Sequence, residues 1–242
     1  MLVRVARREA GFTLIEIAVV LVIIGLLLGS FINTFAQRID TTRRDNTKKE
    51  LEEIKSVIMA YAYTKSPPYI PCPDTDSPLD GIENRSGASC TSAHGFVPWV
   101  TLGVGYSDAW GNRYRYWVRP DYSGSSGFSL TTADDSAKDA RVFTRVQHTV
   151  QDLTDNAVVV IFSQGKNGLG ARSFEGTDRA PVPAVGGGHD DERENLDLDI
   201  AFVSRDLRVE GATTVNGGIF DDIVIWIGAL ELKAKMVEAG VL

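Results

Sequence analysis

The hydrophobic pattern begins with one long apolar run near the start of the chain. From residue 12 to residue 36 the side chains are apolar apart from Glu16 and a few hydroxyl or amide groups. As a helix this run would be about 37 Å long, enough to cross a hydrocarbon core of ~30 Å. The pattern predicts a transmembrane helix over residues 12–37, preceded by a short basic segment at residues 1–11.

The pattern becomes amphipathic over residues 38–66. Leu51, Ile54, Ile58 and Tyr61 recur at three- and four-residue spacing, and Lys and Glu side chains occupy the opposite face. The sequence Ser66-Pro67-Pro68 ends this periodicity. We therefore expect one helix from residue 12 to residue 65, with an apolar stripe along its second half. A coiled coil is the alternative, although the heptad pattern lasts barely two repeats.

The remaining residues, 67–242, predict a β-rich domain, here called the headpiece. Short stretches rich in β-branched and aromatic residues are separated by Gly and Asn turn signals. The predicted strands are Tyr114–Arg119, Arg141–Val146, Ala157–Phe162, Ile200–Val203 and Ile219–Ile227. A short helix from about Ala229 to Glu238 follows them. The predicted fold class is α+β, a long N-terminal helix packed on an antiparallel sheet.

Composition and charge exclude some classes of protein. Hydrophobic residues make up 43% and charged residues 24%, which is typical of a folded chain. The formal net charge is -7, and an acidic body is a poor match for a phosphate backbone. Nucleic acid is therefore not an expected partner, although a small local basic patch stays compatible with the sequence.

The two cysteines bracket a loop rich in Pro, Gly, Ser and Asp. Cys72 and Cys90 would form a disulfide in an oxidising compartment and two free thiols in a reducing cytosol. The N-terminal segment favours export from the cytosol, and so it favours the disulfide.

Glu16 needs an explanation, because a carboxylate in the middle of a membrane costs ~2.5–3.5 kcal/mol on insertion scales. Neither a secretory signal peptide cleaved near Ala36 nor a plain membrane anchor gives Glu16 a role. Cleavage after Gly11 would give it one. Phe12 would then carry a free α-ammonium group four residues before Glu16, and the two charges could pair within one chain or between neighbouring subunits. Wrong registers would leave a charge unpaired.

The segment GFTLIEIAVVLVIIGLLLG, from Gly11 to Gly29, closely resembles the class III signal of type IV pilins and type II secretion pseudopilins. The resemblance implies that a prepilin peptidase cuts after Gly11, that Phe12 becomes N-methylated and that Glu16 supports docking between subunits. It further implies other pilins or pseudopilins and an inner-membrane assembly platform as partners. The chain would be single-pass in a bacterial inner membrane, with its headpiece in the periplasm.

Three headpiece segments also resemble segments of pseudopilins, but less closely than the N-terminal motif does. They are Asp108–Val118 (DAWGNRYRYWV), Val158–Gly168 (VVVIFSQGKNG) and Phe220–Ile227 (FDDIVIWI). Each also has a plain structural interpretation, as a hairpin turn, a glycine turn and a buried strand preceded by two acids. The length of the mature chain and its loop-rich headpiece favour a minor rather than a major subunit.

Two acidic stretches are the candidates for binding a cation. Asp74, Asp76 and Asp80 precede Gly81 in the manner of a calcium loop, and some pseudopilins bind calcium. Pro78 and Leu79 interrupt the usual spacing, and a solvated acidic turn is the alternative. Residues 189–199 (HDDERENLDLD) follow three glycines and predict an exposed loop. No other cofactor is expected.

No catalytic pattern occurs in the sequence. The three histidines are scattered, and zinc-protease, nucleophile-elbow and phosphate-loop signatures are absent. We therefore expect a structural subunit of a filament rather than an enzyme. The alternative function is a membrane-tethered or secreted periplasmic binding domain, possibly dependent on calcium, whose N-terminus serves only for export.

Overall fold

The computed structural model describes residues 12–135, 137–146, 149–208 and 217–242, and for residues 28–36 it describes the backbone alone. The leader at residues 1–11, including the predicted cleavage residue Gly11, lies outside the described residues.

The described chain contains five helices and eight strands. In chain order they are α1 (Leu14–Tyr63), β1 (Arg85–Ser86), β2 (Ser89–Cys90), β3 (His94–Phe96), α2 (Trp99–Leu102), β4 (Arg115–Val118), α3 (Pro120–Ser123), β5 (Ala140–Val146), β6 (Thr149–Ser163), α4 (Asp190–Glu194), β7 (Ala201–Val203), β8 (Ile223–Gly228) and α5 (Ala229–Glu238).

The chain divides into two compact units, Met1–Thr42 and Arg43–Leu242. In the first unit the described apolar side chains of α1 lie on the surface: Leu14 is 92% exposed, Ile15 70% and Leu26 69%. The hydroxyl groups of Thr41 and Thr42 donate hydrogen bonds to backbone carbonyls four residues earlier. Among the residues that the structure describes, no helix is both long enough and apolar enough to count as a membrane span.

In the second unit the remaining turns of α1 pack on the headpiece. Leu51, Ile54 and Ile58 are almost fully buried, as the sequence predicted, but the next buried position is Ala62, because the predicted Tyr61 is only half-buried. They share a core with Val159 and Ile161 of β6, Ile227 of β8, and Leu232 and Met236 of α5. The helix ends at Tyr63, just before the Ser66-Pro67-Pro68 sequence.

The main sheet has six strands. Five follow the order β3-β4-β6-β5-β7, and β8 also pairs with β6. The expectation of an antiparallel sheet was wrong in one respect, because β7 runs parallel to β5 and pairs Phe202 with Val142. A parallel neighbour needs a long connection, and the segment between β6 and β7, which contains α4, returns the chain to the same end of the sheet.

The two faces of the sheet form separate cores. Along β6, Val159 and Ile161 face α1, whereas Val160 and Phe162 point to the opposite face, as the two-residue repeat of a strand requires. On that opposite face Phe162 packs with Trp117 and Phe202.

Most strands and helices of the structure lie where the sequence predicted them. Each predicted strand overlaps an observed one, although β6 extends eight residues before Ala157 and β8 begins four residues after Ile219. The C-terminal helix has the predicted bounds, Ala229–Glu238. The short strands β1, β2 and β3 were missed, because two or three residues carry too little periodicity to show.

Candidate functional site

The first candidate site lies at the start of α1. The carboxylate of Glu16 accepts hydrogen bonds from the Thr13 backbone N–H and hydroxyl, both at 2.9 Å. The Thr13 hydroxyl in turn accepts one from the Glu16 backbone N–H at 3.3 Å. This reciprocal arrangement is a capping box, which satisfies two of the free N–H groups of a helix start. The adjacent Phe12 is 83% exposed.

The second candidate site is the loop that carries the two cysteines. Cys72 and Cys90 are joined in a disulfide, as the sequence predicted, with their Cα atoms 5.2 Å apart. The carboxylate of Glu83 holds the same loop, since it accepts hydrogen bonds from the Cys72 backbone N–H, the Tyr61 hydroxyl and the Arg85 guanidinium. The loop is thus anchored to α1 through Tyr61.

Asp74, Asp76 and Asp80 do come together in this loop, each offering an oxygen within 4.8 Å of the others. However, both Asp74 oxygens already accept backbone N–H groups, from Asp76 at 3.1 Å and from Gly81 at 2.7 Å. Asp80 accepts the Ile82 N–H, and Asp76 accepts the Asn84 side-chain amide. Burial is the main reason that the pKa of Asp74 is raised. These hydrogen bonds close the loop, and the three carboxylates stay a candidate group for a cation.

A different cluster of carboxylates is buried in the headpiece. Glu192 of α4 and the consecutive residues Asp221 and Asp222 are 1%, 8% and 3% exposed, and each offers an oxygen within 4.8 Å of the others. We call these three residues the buried acidic cluster. Asp221 and Asp222 directly precede β8, and Glu192 belongs to the stretch that the sequence predicted to be an exposed loop. That prediction was wrong for Asp191 and Glu192, which α4 turns into the protein interior, whereas residues 197–199 are exposed.

Hydrogen bonds fix most oxygens of the buried acidic cluster. In the turn after β6, the Asn167 backbone N–H donates to Asp221 Oδ2 and its side-chain amide donates to Glu192 Oε1, both at 2.8 Å. His189 Nδ1 lies 2.7 Å from Glu192 Oε2, and the Asn195 amide donates to Asp222 Oδ2 at 2.8 Å. The turn itself needs Gly165, since a Cβ there would lie 2.4 Å from the Asp221 carbonyl oxygen.

One oxygen of the cluster, Asp221 Oδ1, is buried and has no hydrogen-bond partner among the described residues. A buried acceptor without a partner is rare, and each one calls for an explanation such as an ion that completes the site. Burial and the nearby Glu192 carboxylate raise the pKa of Asp221 to about 7, and burial also raises the pKa of Asp222. The all-oxygen donor set of this cluster is of the kind that hard divalent cations such as calcium prefer, as is that of Asp74, Asp76 and Asp80.

The sequence carried a weak signal for this cluster. Two adjacent acids directly before an apolar strand, in FDDIVIWI, are unusual, because carboxylates are rarely buried at the start of a β-strand. Glu192 gave no such signal, since nothing in its local sequence distinguishes it from its acidic neighbours.

Among the other titratable groups, His94 lies against the rings of Trp117 and Phe202, at centroid distances of 6.4 and 6.5 Å. Burial lowers the pKa of this imidazole.

Comparison with known proteins gives one result, at the N-terminus. Residues 6–32 match a family model described as the prokaryotic N-terminal methylation motif. The match is consistent with the type IV pilin and pseudopilin resemblance and includes Phe12 and Glu16. No curated protein and no solved structure matches the chain significantly.

Proposed function

We propose that this chain is a structural subunit, a minor pilin or pseudopilin, of a type IV pilus or a type II secretion-like filament. The observation that carries the proposal is the methylation motif at residues 6–32, which runs directly into the 50-residue helix α1. In this proposal a prepilin peptidase cuts after Gly11, and the new N-terminal residue Phe12 is methylated. The subunit is anchored in the inner membrane and is then incorporated into the filament through α1.

The surface of α1 in the first unit supports a role in assembly. Its apolar side chains are exposed all around the helix, including Ile15, Leu21, Ile23 and Ile24, which lie on different faces. A helix that is apolar on every side is stable only when a bilayer or other helices cover it. Assembly would transfer this segment from lipid to a bundle of neighbouring helices, and both environments are apolar.

The charged groups at the start of the helix would then set the axial register between neighbouring subunits. After cleavage, the Phe12 α-ammonium group and the Glu16 carboxylate are both near the helix start, and Glu16 of one subunit can meet the amine of the next. A subunit in the wrong register would bury an unpaired charge, which costs several kcal/mol. The methylation motif favours such a structural role over a catalytic one.

The Cys72–Cys90 disulfide supports a periplasmic headpiece, because disulfides persist in oxidising compartments. The proposed partners of the chain are the prepilin peptidase, the other pilin-like subunits and the inner-membrane assembly platform.

Mass spectrometry of the N-terminus tests the proposal. The full chain is expressed in a bacterium with a prepilin peptidase and in the matched strain without it. We expect a mature N-terminal residue Phe12 carrying a methyl group in the first strain and an uncut chain in the second. A mature chain starting at Gln37 would instead indicate a secreted binding domain, and Met1 in both strains would contradict the proposal.

A further inference from the structure

Three arginines lie close together where β4 begins. Arg113 is two residues before Arg115, the first residue of β4, and its backbone N–H donates to the Arg172 carbonyl oxygen at 2.8 Å. All three side chains are half-buried. The positive charge of Arg172 acts on both of the other guanidinium groups. We call these three residues the arginine cluster.

Most N–H groups of the arginine cluster have no acceptor within the part of the chain that the structure describes. A guanidinium group carries five N–H donors. Each one in the cluster donates a single hydrogen bond, and the acceptors are the Phe174 carbonyl, the Gly170 carbonyl and the Asp178 carboxylate, at 2.7, 3.0 and 3.3 Å. The Nε atom of each arginine is buried without an acceptor. The cluster therefore has donors to offer to a ligand.

The charge of the arginine cluster is only partly balanced. Among the described residues Asp178 makes its one ion pair, with Arg172, and the Asp178 side chain is 79% exposed. Three guanidinium groups against one carboxylate leave an excess of two positive charges. Asp74 also acts on Arg113, but backbone N–H groups take both of its oxygens. In a chain with a formal net charge of -7, this is a local reversal of sign.

The positive charges of the cluster repel one another in partly buried surroundings. Burial, with a smaller effect of the Arg172 charge, lowers the pKa of Arg115 to about 10 against the opposing effect of Asp178. Burial and then the Arg172 charge lower the pKa of Arg113. Repulsion of this kind is screened little where water is excluded, and a bound anion relieves it.

Aromatic rings stand beside the arginine cluster. The Arg113 guanidinium lies 4.2 Å from the Trp99 ring centroid and 4.7 Å from that of Tyr106. The Phe174 side chain, whose own carbonyl accepts the Arg113 hydrogen bond, is 46% exposed. An exposed ring next to anion donors favours a ligand that carries an apolar face as well as a negative group.

From this geometry we infer that Arg113, Arg115 and Arg172 bind the phosphate group of a small phosphorylated molecule, a sugar phosphate, whose ring packs against Phe174. The guanidinium fork matches two phosphate oxygens at once. A phosphate monoester carries about -1.5 to -2 charges at neutral pH, which balances the excess charge of the cluster better than a single carboxylate or phosphodiester does. This inference does not depend on the proposed filament role.

Isothermal calorimetry of the full-length chain in detergent is the first test, with EDTA present and the ionic strength held low and constant, because salt screens the charges. The probes are glucose 6-phosphate, inorganic phosphate and glucose. We expect one glucose 6-phosphate to bind per chain, inorganic phosphate to bind at least threefold more weakly, and glucose not to bind.

Arginine variants test which groups hold the phosphate. Arg172→Gln should weaken binding of both phosphate probes at least tenfold, because a charge-assisted hydrogen bond is lost. Arg141→Gln makes the same change of net charge on β5, where Arg141 pairs with Asp152, and should stay within about twofold of wild type. Phe174→Ala keeps the backbone carbonyl and should weaken glucose 6-phosphate at least threefold while leaving inorganic phosphate unchanged.

Removal of the competing carboxylate gives a test in the opposite direction, which does not require an arginine variant to fold. Asp178→Asn should bind glucose 6-phosphate about two- to fivefold more tightly than wild type, because Arg172 loses its exposed ion pair. Asp155→Asn, which removes an exposed acid of β6, should bind like wild type.

The outcomes that contradict the inference are distinct. Absence of binding of both phosphate probes up to millimolar concentration overturns the site itself. Binding that is unchanged in Arg172→Gln, or equally weakened in Arg141→Gln, would mean an adventitious ion only. Equal affinity for inorganic phosphate and glucose 6-phosphate, or tighter binding of a single-stranded oligonucleotide without a terminal phosphate, overturns the assignment to a sugar phosphate. None of these results bears on the mature N-terminus.

Discussion

Thr13 and Glu16 exchange hydrogen bonds at the start of α1, so that each side chain caps a backbone N–H of the other residue. Glu16 therefore has a local structural role besides the charge pairing that its position in an apolar helix suggests. The two roles need different chemical features of the side chain, because a capping box is also made by Gln, whereas a charge pair is not.

The first prediction separates these roles of Glu16. Glu16→Val should leave membrane insertion intact but strongly reduce incorporation into filaments, because the charge is lost. Glu16→Gln keeps the capping geometry without the charge and should be reduced equally. Thr13→Val, which removes the cap partner but keeps the carboxylate, should still be incorporated. The measurement is the fraction of each variant in sheared filaments relative to the membrane fraction.

If Glu16→Gln is incorporated as well as wild type, capping alone explains Glu16 and the account based on charge is wrong. Normal incorporation of Glu16→Val would remove both explanations.

The second prediction concerns the disulfide. Cys72 and Cys90 are 18 residues apart in sequence, and closing a loop of this length contributes about 3 kcal/mol in the chain-entropy model. Reductant should therefore lower the melting temperature by roughly 6–12 °C for a domain of this size. The double variant Cys72→Ala with Cys90→Ala should melt at the lower temperature with or without reductant. Equal melting of oxidised and reduced wild type would argue against a stabilising bridge.

The third prediction tests how α1 is held on the headpiece. Ile58 is fully buried between α1 and the sheet, and Ile58→Ala should lower the free energy of unfolding by about 2–5 kcal/mol. Leu230 on α5 is 64% exposed, and Leu230→Ala should change it by no more than about 0.5 kcal/mol. Urea unfolding of both variants gives the comparison. A loss of similar size in both would mean that the buried stripe is not the main attachment.

The fourth prediction follows from the half-buried imidazole of His94. Burial lowers its pKa in the folded protein, so below about pH 6.5 the unfolded chain binds a proton that the folded chain does not. The free energy of unfolding should therefore fall as the pH drops through the window below that value. His94→Gln should lose this component, and the difference between the two curves isolates it from the carboxylates. Parallel curves for wild type and variant, measured by urea unfolding in EDTA, would refute the assignment.

The local periodicities of this sequence were enough to predict most of the fold. The continuous apolar run and the stripe of Leu51, Ile54 and Ile58 predicted α1, because helix periodicity is read from neighbours three and four residues apart. The C-terminal helix and the middle of β6 followed from the same kind of local signal. The methylation motif is also local, and its family match includes both Phe12 and Glu16.

The direction of β7 and the position of the acidic cluster were not local properties. β7 has three residues, and its parallel pairing with β5 depends on where a long connection returns the chain. Asp74, Asp76 and Asp80 lie close together in sequence and also in the fold, but the sequence did not show that backbone N–H groups use both oxygens of Asp74. Glu192 and Asp221 lie far apart in sequence and meet only because α4 and the entry to β8 converge.

By itself, the sequence determined the helix, its apolar surface and the motif at its start, since these depend on the order of residues within a few turns. Only the tertiary structure decided which carboxylates are buried together and that Arg44 faces them. The physical reason is that burial and charge proximity are set by packing between distant segments, and packing determines which polar atoms lose water without gaining a partner.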